Sequence, residues 1–147
     1  MTENNFTTVV VINKSAEEVF NAIKNVRGWW QGEIEGNTNK LGDEFDYRMK
    51  TFHYSKQRVT EFIPNKKIVW LVTESDLSFV SPRNEWTGTK INFELAESND
   101  KTELRFTHEG LKPVFQCYGA CSNGWEKLIN ESLLSLIETG EGKLVFG

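Results

Sequence analysis

Few residues in this chain have types and spacings suited to chemistry, and His108 is the best placed of them. In Thr102–Glu109, Leu104, Phe106 and His108 alternate with Glu103, Arg105, Thr107 and Glu109, so the imidazole turns inward with the apolar side chains. An inward imidazole can serve as acid, base or hydrogen-bond donor near neutral pH. A lone histidine near a strand end is more often a structural group bonded to backbone. His53, between Phe52 and Tyr54, has no carboxylate or cysteine tied to it by spacing.

The cysteines and carboxylates are weaker candidates. Cys117 and Cys121 lie four apart, on one face of a predicted helix, at the spacing of a two-ligand metal pair. Zinc normally takes four ligands, and no CxxC or HxxxH supplies the others. We expect no metal and no cofactor, and read Cys121 as a small buried thiol. Glu17 and Glu18 sit in the first turn of a predicted helix, where negative charge suits the dipole. Glu33 and Glu35 share one face of a short strand and read as solvated. No nucleophile elbow, Walker loop or dinucleotide fingerprint is present, and no catalytic residue is assigned.

These residues must be held by a recognisable succession of elements. Phe6–Ile12, FTTVVVI, is β-branched and apolar, which predicts a strand. Ser15 and Glu18 have capping-box spacing, and Ala16, Val19, Phe20 and Ile23 form one face of the helix that follows. Trp29-Trp30 is expected to begin a second short helical turn. Strands are predicted over 33–37, 44–50, 54–63, 67–74, 86–96 and 102–109, separated by turn-forming clusters such as Pro64-Asn65-Lys66 and Glu97-Ser98-Asn99-Asp100-Lys101. The stretch 75–85, with Phe79 and Pro82, is left as loop.

A long helix closes the chain, over Val114–Glu138. Tyr118, Trp125, Leu128, Ile129, Leu133 and Leu136 form an apolar stripe at helical spacing. Cys121, Ser122 and Ser132 interrupt that stripe with small residues, which leaves room beside the helix. Gly119 and Gly124 within it suggest close approach to a neighbour. A meander of strands with one apolar face needs a cover, and this helix, about 35 Å long, is the element able to supply it. The fold class is α+β: a curved antiparallel sheet of about seven strands around a C-terminal helix, with two short helices after the first strand.

The 147 residues read as a single domain, 1–147, large enough for a core without staples. A net charge of −4 argues against a nucleic-acid partner. No apolar run approaches the roughly 20 residues that cross a bilayer. The start, Met-Thr-Glu-Asn-Asn, lacks a signal-peptide pattern, so the expectation is a cytoplasmic protein. Oligomeric state is left open.

Several segments, in order, carry a resemblance. They are Ser15-Ala16-Glu17-Glu18 with Val19-Phe20, Val59-Thr60-Glu61-Phe62-Ile63-Pro64 with Ile68-Val69-Trp70, Trp86-Thr87-Gly88-Thr89, Thr102 to Leu111, and Gly124-Trp125 through Glu138-Thr139-Gly140. With them the chain resembles the START-like, birch-pollen-allergen-like (SRPBCC) superfamily, and within it the homologues of the heat-shock-protein ATPase activator. The resemblance implies the helix-grip fold and a pocket between sheet and helix. It leaves three functions open: binding a hydrophobic or aromatic small molecule, interaction with a chaperone or another protein, or cyclase/aromatase-type catalysis through His108.

The inward parity of the strands and the helix stripe together outline that pocket. We expect Trp70, Phe93, Phe106, Cys121 and Trp125 to bound it, with Trp30 and Trp86 nearer an opening. His108, Ser132 or Cys121 would orient a ligand's polar group. The competing expectation is an aromatic core packed solid.

Overall fold

The structure, a computed structural model, describes residues 5–51, 53–78, 83–111 and 118–143. The β-branched N-terminal run forms β1 (Asn5–Ile12). Helix α1 (Ala16–Lys24) follows, capped by Ser15, whose side chain accepts from the Glu18 N–H at 3.2 Å. A second N-terminal donor, Ala16 N–H, is satisfied from across the molecule by Glu97 Oε1 at 2.8 Å. Unpaired donors at a helix start need such acceptors. The helix buries Ala16, Val19, Phe20 and Ile23, the predicted face.

The second helical turn falls at Val26–Gly28, three residues before its expected place. Trp29 and Trp30 therefore follow this 3-10 turn rather than starting it. The Trp29 ring N–H donates back to the Ile23 carbonyl, which holds the segment against α1.

Six further strands are β2 (Glu33–Gly36), β3 (Glu44–Met49), β4 (His53–Ile63), β5 (Lys67–Leu77), β6 (Lys90–Ser98) and β7 (Lys101–Glu109). They make one seven-stranded antiparallel sheet in the order β1-β7-β6-β5-β4-β3-β2. The β6–β7 connection is tighter than the predicted loop. Ser98 pairs with Lys101, leaving Asn99 and Asp100 at positive φ, 53° and 65°, as the two-residue turn. Such mirror-image turns match strand twist, and Asn and Asp tolerate the left-handed region.

Strand β5 runs three residues beyond its predicted end, because Leu77 is fully buried opposite His53. Residues 86–89 form a turn rather than the start of β6, closed by the Thr89 N–H to Trp86 carbonyl bond. Phe79 and Pro82 lie outside the described residues. The β4–β5 pairing shifts register twice, between Lys56 and Gln57 and between Val59 and Glu61. Bulges of this kind bend a strand and re-aim its side chains, which helps the sheet curve.

The C-terminal helix begins at Tyr118 among the described residues, so the predicted stretch from Val114 to Cys117 lies outside them. Helix α2 (Tyr118–Lys127) continues through a π-helical segment, Leu128–Leu133, into α3 (Leu134–Thr139). It ends at Gly140, whose φ of 88° lets its N–H return to the Leu136 carbonyl. Trp125, Leu128, Ile129 and Leu133 join the inner sheet residues in one hydrophobic core. The stripe packs as expected. Among the described residues, a Cβ at Gly119 would meet nothing within 4 Å, so none of them approaches it closely. The sheet curves around this helix, giving the predicted helix-grip α+β fold.

Candidate functional site

Where the sequence points to a pocket, the structure brings an aromatic cluster together. Trp30 stacks on Tyr47, with ring centroids 4.0 Å apart, and lies parallel to Trp70 at 6.0 Å. Trp70 meets Phe45 and Phe93 edge-on at 5.0 and 4.9 Å. From the helix, Trp125 reaches Phe106 at 4.7 Å and Trp30 at 5.1 Å, and Trp86 stacks beside it at 5.8 Å. Offset and edge-to-face pairs at such distances are favourable beyond the area they bury. Seven of the predicted residues (Trp30, Trp70, Trp86, Phe93, Phe106, His108 and Trp125) belong to this assembly. Trp30 and Trp86, expected nearer an opening, are each only 3% exposed.

The other two predicted residues are committed elsewhere. Ser132 is buried on the helix, donates to the Trp29 carbonyl at 2.8 Å and accepts from the Lys143 N–H. It ties the helix to the segment after α1. Cys121 is buried and disulfide-bonded, which corrects its reading as a thiol; Cys117 lies outside the described residues. A bridged sulfur has no S–H to offer a ligand. Ser122 turns back to its own helix, donating to the Gly119 carbonyl.

His108 is fully buried on β7, with both ring nitrogens engaged. The Trp125 ring N–H donates to Nδ1 at 2.9 Å. This assigns the proton to Nε2, which donates to Thr89 Oγ1 at 2.8 Å. The Thr89 hydroxyl in turn donates to the Trp86 carbonyl. A four-membered chain thus links helix, sheet and the turn before β6. Burial, with the nearby His53 adding to it, lowers the His108 pKa to about 3. A neutral imidazole with no unengaged nitrogen is suited to fastening and not to general acid–base work at neutral pH.

Two polar groups that sequence reasoning missed, Ser55 and Gln57, lie on β4 beside His53. His53, Ser55, Gln57 and Val59 share the inner face, and Phe45 on β3 and Val72 on β5 stand opposite Gln57. His53 meets Trp86 and Tyr47 edge-on at 4.6 and 5.0 Å, and burial lowers its pKa to about 3 as well. Ser55 Oγ lies 3.4 Å from His53 Nε2. Tyr47 donates to the Gln31 carbonyl, and burial pushes its phenol up. Gln57 is different. It is 0% exposed, and among the described residues neither its Oε1 nor its Nε2 has a hydrogen-bond partner. The ring N–H groups of Trp70 and Trp86 are likewise buried and, among the described residues, unpartnered. The signal that would have found Gln57 is its parity with Val59.

On the outer side of the C-terminal helix, Asn123, Glu126, Lys127, Asn130 and Glu131 line a solvent-facing groove. None of the predicted site residues contributes to it. Among the described residues, no group of three or more His, Cys, Asp or Glu could hold a metal ion, and no helix is long and apolar enough to cross a membrane.

A curved antiparallel sheet gripping a C-terminal helix, with aromatic side chains between them, defines the START-like class. A model of the family described as "Activator of Hsp90 ATPase homolog 1-like protein" matches residues 13–138, and the chain belongs to that family. No curated protein matches it. Among solved structures it is similar to the Aha1 dimer from Colwellia psychrerythraea, at 26% identity and a TM-score of 0.76, over 94% of this chain and 98% of that one. It is also similar to SSP2350 from Staphylococcus saprophyticus (15% identity, TM-score 0.70, 95% and 96% coverage). MLL2253 from Mesorhizobium loti matches at 20% identity and a TM-score of 0.68, over 89% and 95%. The last two likenesses concern the fold alone.

Proposed function

We propose that this chain binds a hydrophobic or aromatic small molecule between the inner face of the sheet and the C-terminal helix. One observation carries the reading: among the described residues, Gln57, Trp70 and Trp86 hold buried polar atoms without partners inside a largely aromatic cluster. Buried polar groups in native proteins are nearly always hydrogen-bonded, because leaving one unmade costs about 1–3 kcal/mol. A core with nothing to bind gains nothing from four such atoms. Ring faces would supply the apolar contact, and binding would draw on the area the ligand buries, offset by the cost of holding it and of parting the rings.

The test is a thermal-shift and native mass-spectrometry screen with lipids, flavonoids and neutral aromatic compounds. The expected result is a concentration-dependent rise in Tm and a mass adduct with one apolar class. No stabilisation by any class would overturn the reading.

A second reading, as a protein-interaction module, is favoured by the exposed Val9 and Val11 on β1, 43% and 63% exposed. The family name concerns a chaperone ATPase activator, and the Colwellia psychrerythraea relative is described as a dimer. For this strand the partner we favour is a second copy of the chain, paired through β1.

A further inference from the structure

The unpartnered carboxamide of Gln57 narrows what the site can select. A primary amide presents an acceptor, Oε1, beside a donor, Nε2. Both are orphaned among the described residues, and apolar Phe45 and Val72 stand directly across on the flanking strands. Since Gln57 pairs with Val72 and Val59 with Trp70, Trp70 is a diagonal neighbour of Gln57, about 7–8 Å away between backbones. Its ring N–H is a further unmet donor. Phe45, which stands across from Gln57, packs edge-on against Trp70, and Trp70 lies parallel to Trp30, so apolar rings border this polar spot.

We infer that the ligand is a flat, mostly apolar ring system bearing an adjacent N–H and C=O on one edge, as in a cyclic amide or imide. This inference rests on the small-molecule reading above. The ligand N–H donates to Gln57 Oε1, and Gln57 Nε2–H donates to the ligand carbonyl. The Trp70 ring N–H is a further unmet donor for a second acceptor. An ionised carboxylate fits worse: among the described residues no cationic group bonds to Gln57, and an unpaired buried charge is far more costly than a neutral amide. Specificity of this kind is asymmetric. A site built from buried hydrogen-bonding groups rejects an analogue that leaves them unpaired more strongly than an apolar wall rejects an extra hydroxyl.

The same unmet groups imply a trade between stability and selectivity. Replacing an unsatisfied buried amide with an apolar side chain of similar volume removes a desolvation penalty. Gln57→Met should therefore fold with an unchanged or higher Tm while losing discrimination.

The experiment measures binding of isoquinolin-1(2H)-one, its N-methyl derivative and naphthalene, by calorimetry and thermal shift, to wild type and to Gln57→Met. The expected result is about tenfold tighter binding of the free lactam than of either analogue by wild type. In Gln57→Met that preference disappears and naphthalene binding is retained. Equal affinity for all three in wild type overturns the inference while leaving the apolar-ligand reading intact, as does a lactam preference that persists in the variant. Binding of none of them by wild type overturns the inference and counts against the reading beneath it. A Tm lowered by several degrees in Gln57→Met also overturns it, because Gln57 would then be satisfied in the empty protein.

Discussion

His108 and Gln57 are both fully buried polar side chains on the inner sheet face, yet they stand in opposite conditions. His108 has a partner on each ring nitrogen, and Gln57 has none among the described residues. The first condition has a consequence for pH. Folded His108 and His53 have pKa values lowered from 6.5 to about 3, so below pH 6.5 the unfolded chain binds protons that the folded one does not. Their contribution to stability is complete above pH 6.5 and is lost as pH falls from there toward 3. The loss approaches about 1.4 kcal/mol per pH unit per histidine. Urea denaturation at pH 7.5, 5.5 and 4.5 should show stability falling steeply, with a shallower slope in His108→Gln. Protonation would also set a donor on Nδ1 against the Trp125 N–H, breaking the link between helix and sheet. A stability that stays level from pH 7.5 to 4.5 would contradict the buried neutral imidazoles.

Among the elements, β1 and β2 form the two edges of the sheet and differ in how those edges are protected. Strand β2 is four residues long and reads Glu-Ile-Glu-Gly, short and charged, which discourages pairing. Strand β1 spans eight residues, pairs with β7 in unbroken register, and has no charge or proline. Among the described residues, no backbone outside β7 bonds to it. Its outer face adds Val9 and Val11, and an antiparallel copy with Val9 opposite Val11 would place Arg105 in the same row as the copy's Glu103. Light scattering on the purified protein should therefore find a dimer, and Val9→Lys/Val11→Lys should shift it to monomer with a Tm change of only a few degrees, both sites being exposed. A wild type that stays monomeric at hundreds of micromolar would contradict this use of the edge.

Much of this element order is legible in the sequence, and for local reasons. The FTTVVVI run, the Ser15–Glu18 cap and the Pro64-Asn65-Lys66 turn each signal through their own residues. The alternation in Thr102–Glu109 is enough to turn His108 inward. Other features depend on pairing across the sheet. The register shift beside Gln57 sets which β4 and β5 residues meet, and β5 continues to Leu77 because His53 gives it a buried neighbour. Whether Ser132 leaves space or binds the Trp29 carbonyl depends on where the segment after α1 comes to rest. Spacing along the helix carries no trace of that. Gln57 could be placed on the inner face by parity, but its lack of a partner is a property of the whole neighbourhood.

For the whole molecule, family membership and the helix-grip fold leave function to the site, since one fold hosts many activities. The described rings between sheet and helix touch one another, so a ligand must displace or part some of them. Their unmet donors are what such a guest would satisfy. The ring N–H groups make this directly observable. Those of Trp29 and Trp125 are already bonded to the Ile23 carbonyl and to His108, whereas those of Trp70 and Trp86 are not. The most direct measurement is a proton–nitrogen NMR titration of the tryptophan ring signals with the tightest-binding compound from the screen. The account predicts downfield shifts for Trp70 and Trp86 as their ring N–H groups gain an acceptor, larger than the ring-current shifts of Trp29 and Trp125, whose bonds are already made. Saturable binding that leaves the Trp70 and Trp86 signals unmoved would contradict it.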